Sequence, residues 1–318
     1  MNLPAHIDGL AAASTLPARP LHLAIGMFDG VHLGHLAVVE AAVASARQAE
    51  GIAAALTFDP HPSRVLRPEA AVPLLSPAWL KAERLMAAGV SAVITQPFTR
   101  EYAAIAAEDF VAHLRQSLPA LQAIYVGENW RFGRGRAGDV TTLQQLGQAA
   151  GVRIFSAPRV SMDGLPISST RIRDALTAGE METANALLGY TYYSRGRVVA
   201  GQQLGRKIGF PTLNLPWVPE CQPRRGVYAV RVTRDGDDQV WAGVANYGVR
   251  PTVMGDTDLA PGLEVHLFAP PAFGEGTELR VEWCAFLRPE QRFEDVEALR
   301  AQIGRDRHAA TAYFIPPR

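Results

Sequence analysis

The hydrophobic pattern changes period once along the chain, near residue 190, and that change constrains the fold more than any single motif. From Leu21 to about Gly189 short apolar runs alternate with longer amphipathic ones, as βα units around a mostly parallel sheet require. Strands are expected over 21–27, 52–58, 92–95, 123–127 and 152–155. Helices are expected over 34–49, 77–88, 107–117 and 141–150, with Leu36, Val39 and Val43 recurring at helical spacing. Two short helices, 170–178 and 182–188, should close this half. After Tyr190, strands at 192–199, 226–233, 240–246, 263–268 and 278–285 follow one another across Gly, Pro and Asp turns, the pattern of an antiparallel barrel or sandwich. A last helix, 294–314, carries Val296, Leu299 and Ile303 on one face to pack against it. The expected organisation is an α/β domain with a doubly wound sheet over residues 1–188 and a smaller β domain over 189–318. A length of 318 residues also suits two cores better than one.

Composition narrows the partners. The 31 Lys and Arg balance the 31 Asp and Glu, so no long-range field favours nucleic acid or an anionic membrane, while local anion sites stay open. Cys221 and Cys284 stand far apart with no metal-ligand neighbours, which favours neither a zinc site nor a disulfide framework and suits a reducing cytoplasm. The first twenty residues lack a basic segment followed by a continuous apolar one, and no later run of about 18 apolar residues occurs. A soluble, unprocessed protein is expected.

The strongest motif is G-M-F-D-G-V-H-L-G-H, from Gly26 to His35, between an expected strand and an expected helix. A helix start offers unpaired N–H groups and the positive end of the dipole, and Gly26, Gly30 and Gly34 would let a phosphate approach the backbone. His32 and His35 on the first turn can donate to the same anion, with Phe28 and Asp29 in the same loop. A lone histidine here is more often a cap or a packing residue; a pair at a glycine-rich helix start points to an anion site. No third ligand at metal spacing accompanies them. Farther on, I-S-S-T-R-I-R places Ser168, Ser169 and Thr170 at a helix cap, with Arg171 and Arg173 just inside. Arginine in a first turn opposes the dipole, which suits an anionic partner such as a triphosphate, although a solvated surface helix would look the same. Between these lie T-F-D-P-H-P, with Phe58, His61 and Pro62, and V-G-E-N-W-R-F-G-R-G-R-A-G-D, with Asn129, Trp130 and Phe132. Both fall at expected strand carboxyl ends, where open α/β sheets bind ligands. The three aromatic rings could flank a flat substrate or belong to the core.

In the second half, G-Q-Q-L-G-R-K-I-G-F-P-T-L-N contains Gly205 and Lys207 but lacks the order of a P-loop. Thr212 and Asn214 alternate along an extended segment, so their oxygens share a side and could ligate Mg²⁺ with nucleotide phosphates. In L-E-V-H-L-F, Glu264 and His266 share one face of a strand; from the strand alone Glu264 is as well read as a solvated residue.

Together these segments resemble the bifunctional prokaryotic riboflavin kinase/FAD synthetase family, from about residue 20 to 314. The resemblance implies an N-terminal nucleotidylyltransferase (Rossmann-like) domain and a small β-barrel kinase domain. It also implies ATP and Mg²⁺, with riboflavin and FMN as substrates: riboflavin is phosphorylated to FMN, then adenylylated to FAD with release of pyrophosphate. By that resemblance Glu264 is the base on the flavin 5′-hydroxyl, and Thr212 and Asn214 hold the metal-bound nucleotide. His32, His35, Ser169, Thr170 and Arg173 manage phosphates, with Gly205 and Lys207 in the kinase. Phe58, His61, Pro62 and Asn129 contact flavin. The chain departs from the pattern at Pro166, where many members carry Arg and Arg159 could substitute. It departs again at Asn129-Trp130, in place of Asp-Phe, and at Phe273-Gly274, in place of Tyr-Gly. Two other readings stay open: an enzyme of one step only, or a non-catalytic flavin- or nucleotide-binding regulator. The sequence specifies no oligomeric state.

Overall fold

The computed structural model describes residues 6–201, 205, 208–248 and 262–315. They fall into two units, Met1–Ser169 and Thr170–Arg318.

The first unit is built on a six-stranded, wholly parallel sheet. Its strands are β1 (His6–Asp8), β2 (Leu21–Ile25), β3 (Ile52–Asp59), β4 (Ala92–Pro97), β5 (Leu121–Gly127) and β6 (Arg153–Ala157), ordered β1-β4-β3-β2-β5-β6. Every residue of β2 is buried, because helical crossovers cover both faces of such a sheet, and this is why its strands read as continuous apolar runs. On one face Ala24, Val93 and Ala123 meet Val38, Val39, Ala42 and Ala46 of helix α1 (Leu33–Gln48) and Leu85 of α2 (Ala78–Ala87). On the other, Leu23, Ile25 and Ile124 meet Phe110, Val111 and Leu114 of α3 (Phe110–Ser117) and Leu143 of α4 (Val140–Ala150). The chain winds outward from β2 to β4, then crosses to β5 on the other side of β2. The carboxyl ends of β2 and β5 therefore flank the switch point where such sheets take ligands. Two features had no sequence signal: β1, a three-residue edge strand, and the two-residue pairing of β7 (Ser161–Met162) with β8 (Leu165–Pro166). Segments this short show no periodicity.

Helices α5 (Ser169–Ala178) and α6 (Met181–Leu188) connect the parallel sheet to the β strands along the chain. By contacts the second unit begins at Thr170, and both helices are tied into it. Leu176 O accepts from Arg224 N (2.9 Å), and Asn185 donates to Trp283 O (2.9 Å) and accepts from Tyr192 N (2.7 Å). The β unit comprises β9 (Tyr193–Arg197), β10 (Leu213–Leu215), β11 (Gly226–Arg234), β12 (Val240–Gly248), β13 (Gly262–Leu267) and β14 (Glu278–Pro289). They pair antiparallel in the order β10-β13-β12-β11-β14-β9. An antiparallel bridge from Val199 N to Asn214 O (2.9 Å) nearly closes the sheet into a barrel. Trp283, Tyr228 and Tyr247 are fully buried and ring-packed, with Trp217 against Trp283 at 5.0 Å.

Helix α7 (Val296–Phe314) covers Val227, Ala229, Val244 and Ala285 with Ala310. Leu299 and Ile303 are partly buried on the same face as buried Asp306 and Ala310, as expected, while Val296 at the helix start is 51% exposed. A polar clamp lies on that face. Asp306 accepts from Arg288 through both guanidinium arms (2.8 and 2.7 Å) and from Gln302 (2.8 Å), and this clamp sets where the helix sits. No helix among the described residues is long and apolar enough to cross a membrane.

Candidate active sites

The loop after β2 turns the chain into α1 at a conformational cost. Phe28 (φ 51°), Gly30 (φ 81°) and Val31 (φ 40°) all take positive φ, a region that side chains avoid. Asp29 anchors the loop: its carboxylate accepts from Leu75 N (2.9 Å) and Ser76 N (3.4 Å), and Ser76 Oγ accepts from Gly30 N (3.3 Å). Asp29 was expected to meet phosphate, yet its carboxylate is engaged in holding the loop's shape. The glycines also serve a different purpose from the one expected. A Cβ on Gly26 would come within 2.9 Å of the Phe28 ring, and one on Gly34 within 3.1 Å of the His32 ring. Only Gly30 is required by its backbone angle.

His32 caps α1, Nδ1 accepting from His35 N (3.3 Å), so the capping role and a place at the site coincide in one side chain. The two imidazoles stack with centroids 3.6 Å apart and planes 16° apart. Burial, reinforced by His32 and Lys81, holds His35 well below the usual histidine range, so this ring works as a neutral hydrogen-bonding group. Ser169, at the start of α5, donates through Oγ to Asp29 O (2.9 Å) and brings I-S-S-T to the loop. Thr170 and Arg173 follow on the same helix, Thr170 exposed and Arg173 partly buried.

At the end of β3, Thr57 donates to Met27 O (3.0 Å), and the Asp59–Pro60 bond is cis. His61 caps the short helix Pro62–Leu66 through Ser63 N (3.1 Å). Phe58 is only 8% exposed and packs on Phe98 (5.9 Å) and Tyr102 (5.7 Å), so most of its ring belongs to the core. Sequence reasoning missed Lys81 on α2. It is buried, and its Nζ donates to Phe58 O (3.1 Å) in a narrow crevice also lined by Met27, Asp29, Asp59, His61 and Ser76. The available signal was Lys81 four residues before Leu85, on the face that α2 buries.

In the loop after β5, Trp130 stacks on buried Phe132 (4.8 Å, 15°), and both contact Phe110. Phe132 is thus core rather than a flank for substrate. Asn129 is exposed. Arg159 pairs with Glu128 (3.2 Å), and exposed Pro166 lies in the β7–β8 pair, so the proposed Arg159 substitution has a competing carboxylate.

In the barrel, Asn214 of β10, Glu264 of β13 and Asn246 of β12 are direct cross-strand partners in one row, so their side chains share a face. It is the same outer surface that α7 covers farther along. Sequence reasoning did not assign Asn246. Glu290 accepts a hydrogen bond from Asn246, burial pushes its carboxyl up, and its carboxyl group occupies the space beside Gly248 where a Cβ would stand. His266, two residues from Glu264, bonds Pro211 O through Nδ1 (2.9 Å) and so holds the segment leading into Thr212 and Asn214. Gly201 lies where any side chain would overlap the Asn214 amide, and Gly205 where one would overlap Phe210 O. Lys207 lies outside the described residues. Phe273, to which sequence reasoning assigned no role, packs edge-on against Trp241 (4.9 Å).

The hydroxyl of Thr212 and the amide oxygen of Asn214 are hard oxygen donors, and few in number. That set fits Mg²⁺, which keeps most of its waters and shares phosphate oxygens.

Comparison with known proteins finds two modules in the same order. Residues 16–171 match the family model described as FAD synthetase, and 188–314 match that of riboflavin kinase. The chain is 37% identical to the bifunctional riboflavin kinase/FMN adenylyltransferase of Escherichia coli K12, over 97% of both chains. It is 38% identical to that of Pseudomonas fluorescens, over 94% of this chain and 96% of that one. A crystal structure titled as a macrolide-efflux protein from Streptococcus pneumoniae superposes with a TM-score of 0.85 at 26% identity, covering 97% of this chain and 99% of that one. With both modules present in order and relatives aligned over nearly their whole length, the chain belongs to the bifunctional riboflavin kinase/FMN adenylyltransferase family.

Proposed function

We propose that Glu264 and the His32/His35 pair serve the two successive reactions of this family, one in each unit. In the barrel, the Glu264 carboxylate takes the proton of the riboflavin 5′-hydroxyl. The freed oxygen attacks the γ-phosphorus of ATP, the bond to the β-phosphate oxygen breaks, and FMN and ADP result. Thr212 and Asn214 would hold Mg²⁺, which when bound offsets charge on the nucleotide phosphates.

In the α/β unit, an FMN phosphate oxygen attacks the α-phosphorus of a second ATP, the bond to the β-phosphate breaks, and FAD and pyrophosphate form. No protein nucleophile is needed. His32 and His35 donate hydrogen bonds to phosphoryl oxygens, assisted by the α1 amino terminus and Ser169. His61, Pro62 and Asn129 contact the flavin, while Phe58 and Phe132 support that surface from beneath. Riboflavin, FMN and ATP are the expected partners, and the cytoplasm the expected compartment.

The observation that carries this reading is that each unit gathers its own motif residues: Ser169 onto the histidine loop, and Glu264 between Asn214 and Asn246. Incubating the purified protein with riboflavin, ATP and Mg²⁺ and resolving flavins over time tests it. FMN should rise first and FAD follow. FMN alone would leave only the kinase assignment standing, and neither product would sink both.

A further inference from the structure

The imidazole pair has a consequence for charge. Two rings stacked at 3.6 Å, one of them held neutral by burial, supply hydrogen bonds but little positive charge. A polyphosphate undergoing attack needs charge as well, and the Asp29 and Asp59 carboxylates in the same crevice make the need greater. Among the described residues lining that crevice, the lysine is Lys81. Lys81 is 7% exposed, and its ammonium donates to Phe58 O with the Asp59 and Asp29 carboxylates acting on it. A buried ammonium is costly, and a site keeps one where an anion completes its coordination. Asp29 does not fill that role fully, since its oxygens accept from Leu75 N and Ser76 N.

We propose that Lys81 is the phosphate-binding cation of the adenylyl-transfer site, its ammonium reaching from α2 to the end of β3 to meet phosphoryl oxygens of the reacting nucleotide beside His35. The inference rests on the assignment of adenylyl transfer to the His32/His35 loop. Phe58 O orients the ammonium, and Asp29 and Asp59 keep it charged despite burial, which by itself lowers its pKa. Lys81 in turn helps to keep His35 neutral. The titratable groups around this pair are thus His32, Asp29, Asp59 and His61.

The test compares Lys81→Gln, which removes the charge, with Lys81→Arg, which keeps it, in the full-length protein. FAD formation from FMN and ATP is assayed beside FMN formation from riboflavin. Lys81→Gln should lower kcat/KM for FAD about 10²-fold, the scale of losing one preorganised charge-stabilising group. Lys81→Arg should retain most of it, and both should make FMN at the parental rate. A packing strut would not move a titration, so the His35 ring resonance, assigned by its loss in His35→Gln, supplies the second readout. In Lys81→Gln its pKa should rise toward the usual histidine value. Equal loss in both variants with an unmoved His35 titration would reduce Lys81 to a structural brace, and FAD formation within twofold of the parent would remove it from the site. A His32→Ala/His35→Ala control separates the two ideas: parental FAD formation there would overturn the location of the site itself.

Discussion

The two sites handle the same kind of ligand on opposite structural terms. In the α/β unit the histidine loop packs three positive-φ residues between a strand and a helix, and its polar groups are buried and mutually bonded. In the barrel, Asn214, Glu264 and Asn246 stand in register on the outer face of a regular ladder, where the backbone is unstrained and the side chains bear the chemistry. The first site depends on one loop shape held from several sides. The second depends on strand register and on what α7 and the neighbouring segments place beside it. A change in the barrel ladder should therefore remove one chemical group cleanly, whereas a change in the loop should alter geometry.

Glu264→Gln is the largest expected effect. It keeps size and register and removes the base, so FMN formation should fall by about 10²–10⁴, while FAD formation from supplied FMN stays at the parental rate. Chromatography of flavins from each substrate checks this, and a parallel fall in both steps would show that the units are not chemically separate. The scaffold beneath that face comes next. Asp306→Ala leaves the largely buried Arg288 guanidinium unpaired, which should cost about 3–5 kcal/mol in the second unit. Tryptophan emission in denaturant follows it through Trp217, Trp241 and Trp283, all in the barrel unit; an unshifted midpoint would mean that the clamp does not hold α7.

Much of this was legible in the sequence, and unevenly so. The long βα units and the run of strands after Tyr190 were readable because burial on one or two faces imposes a period. The helix pair α5–α6 was legible as helices but not in its packing, since an amphipathic stripe says that a face is buried and not against what. On α7 apolar periodicity marked the packed face through Leu299 and Ile303 but not its extent, since Val296 is exposed and a charged pair, Arg288 with Asp306, sits on that same face. In the sites, motif residues were found and their reasons were sometimes wrong. Gly26 and Gly34 look like phosphate-approach glycines, yet the space they leave is taken by Phe28 and His32 rings. Lys81 and Asn246 escaped because each becomes notable only through tertiary neighbours, Phe58 O in one case and Glu264 across a ladder in the other.

The loop half of the comparison is tested first by His32→Ala/His35→Ala, which should lower FAD formation about 10²–10³-fold, the scale of losing positioned donors, and leave FMN formation intact. Parental FAD output would break it. Gly34→Ala then sharpens it at the smallest scale. Gly34 is the second residue of α1, where alanine is the better helix former by up to about 1 kcal/mol, so the variant should melt no lower than the parent. Its new methyl would stand 3.1 Å from the His32 ring, close enough that the ring must give by a few tenths of an ångström, and His32 carries both the cap and the stack with His35. Displacements well below 1 Å at a reacting centre cost less than the roughly 10²-fold of a full ångström, so FAD formation should fall about threefold to tenfold. Stability and rate would then move in opposite directions, which a loop that merely supported the fold would not produce. Equal FAD rates in the two proteins would mean that the imidazole stack tolerates displacement and that the loop's precision lies elsewhere.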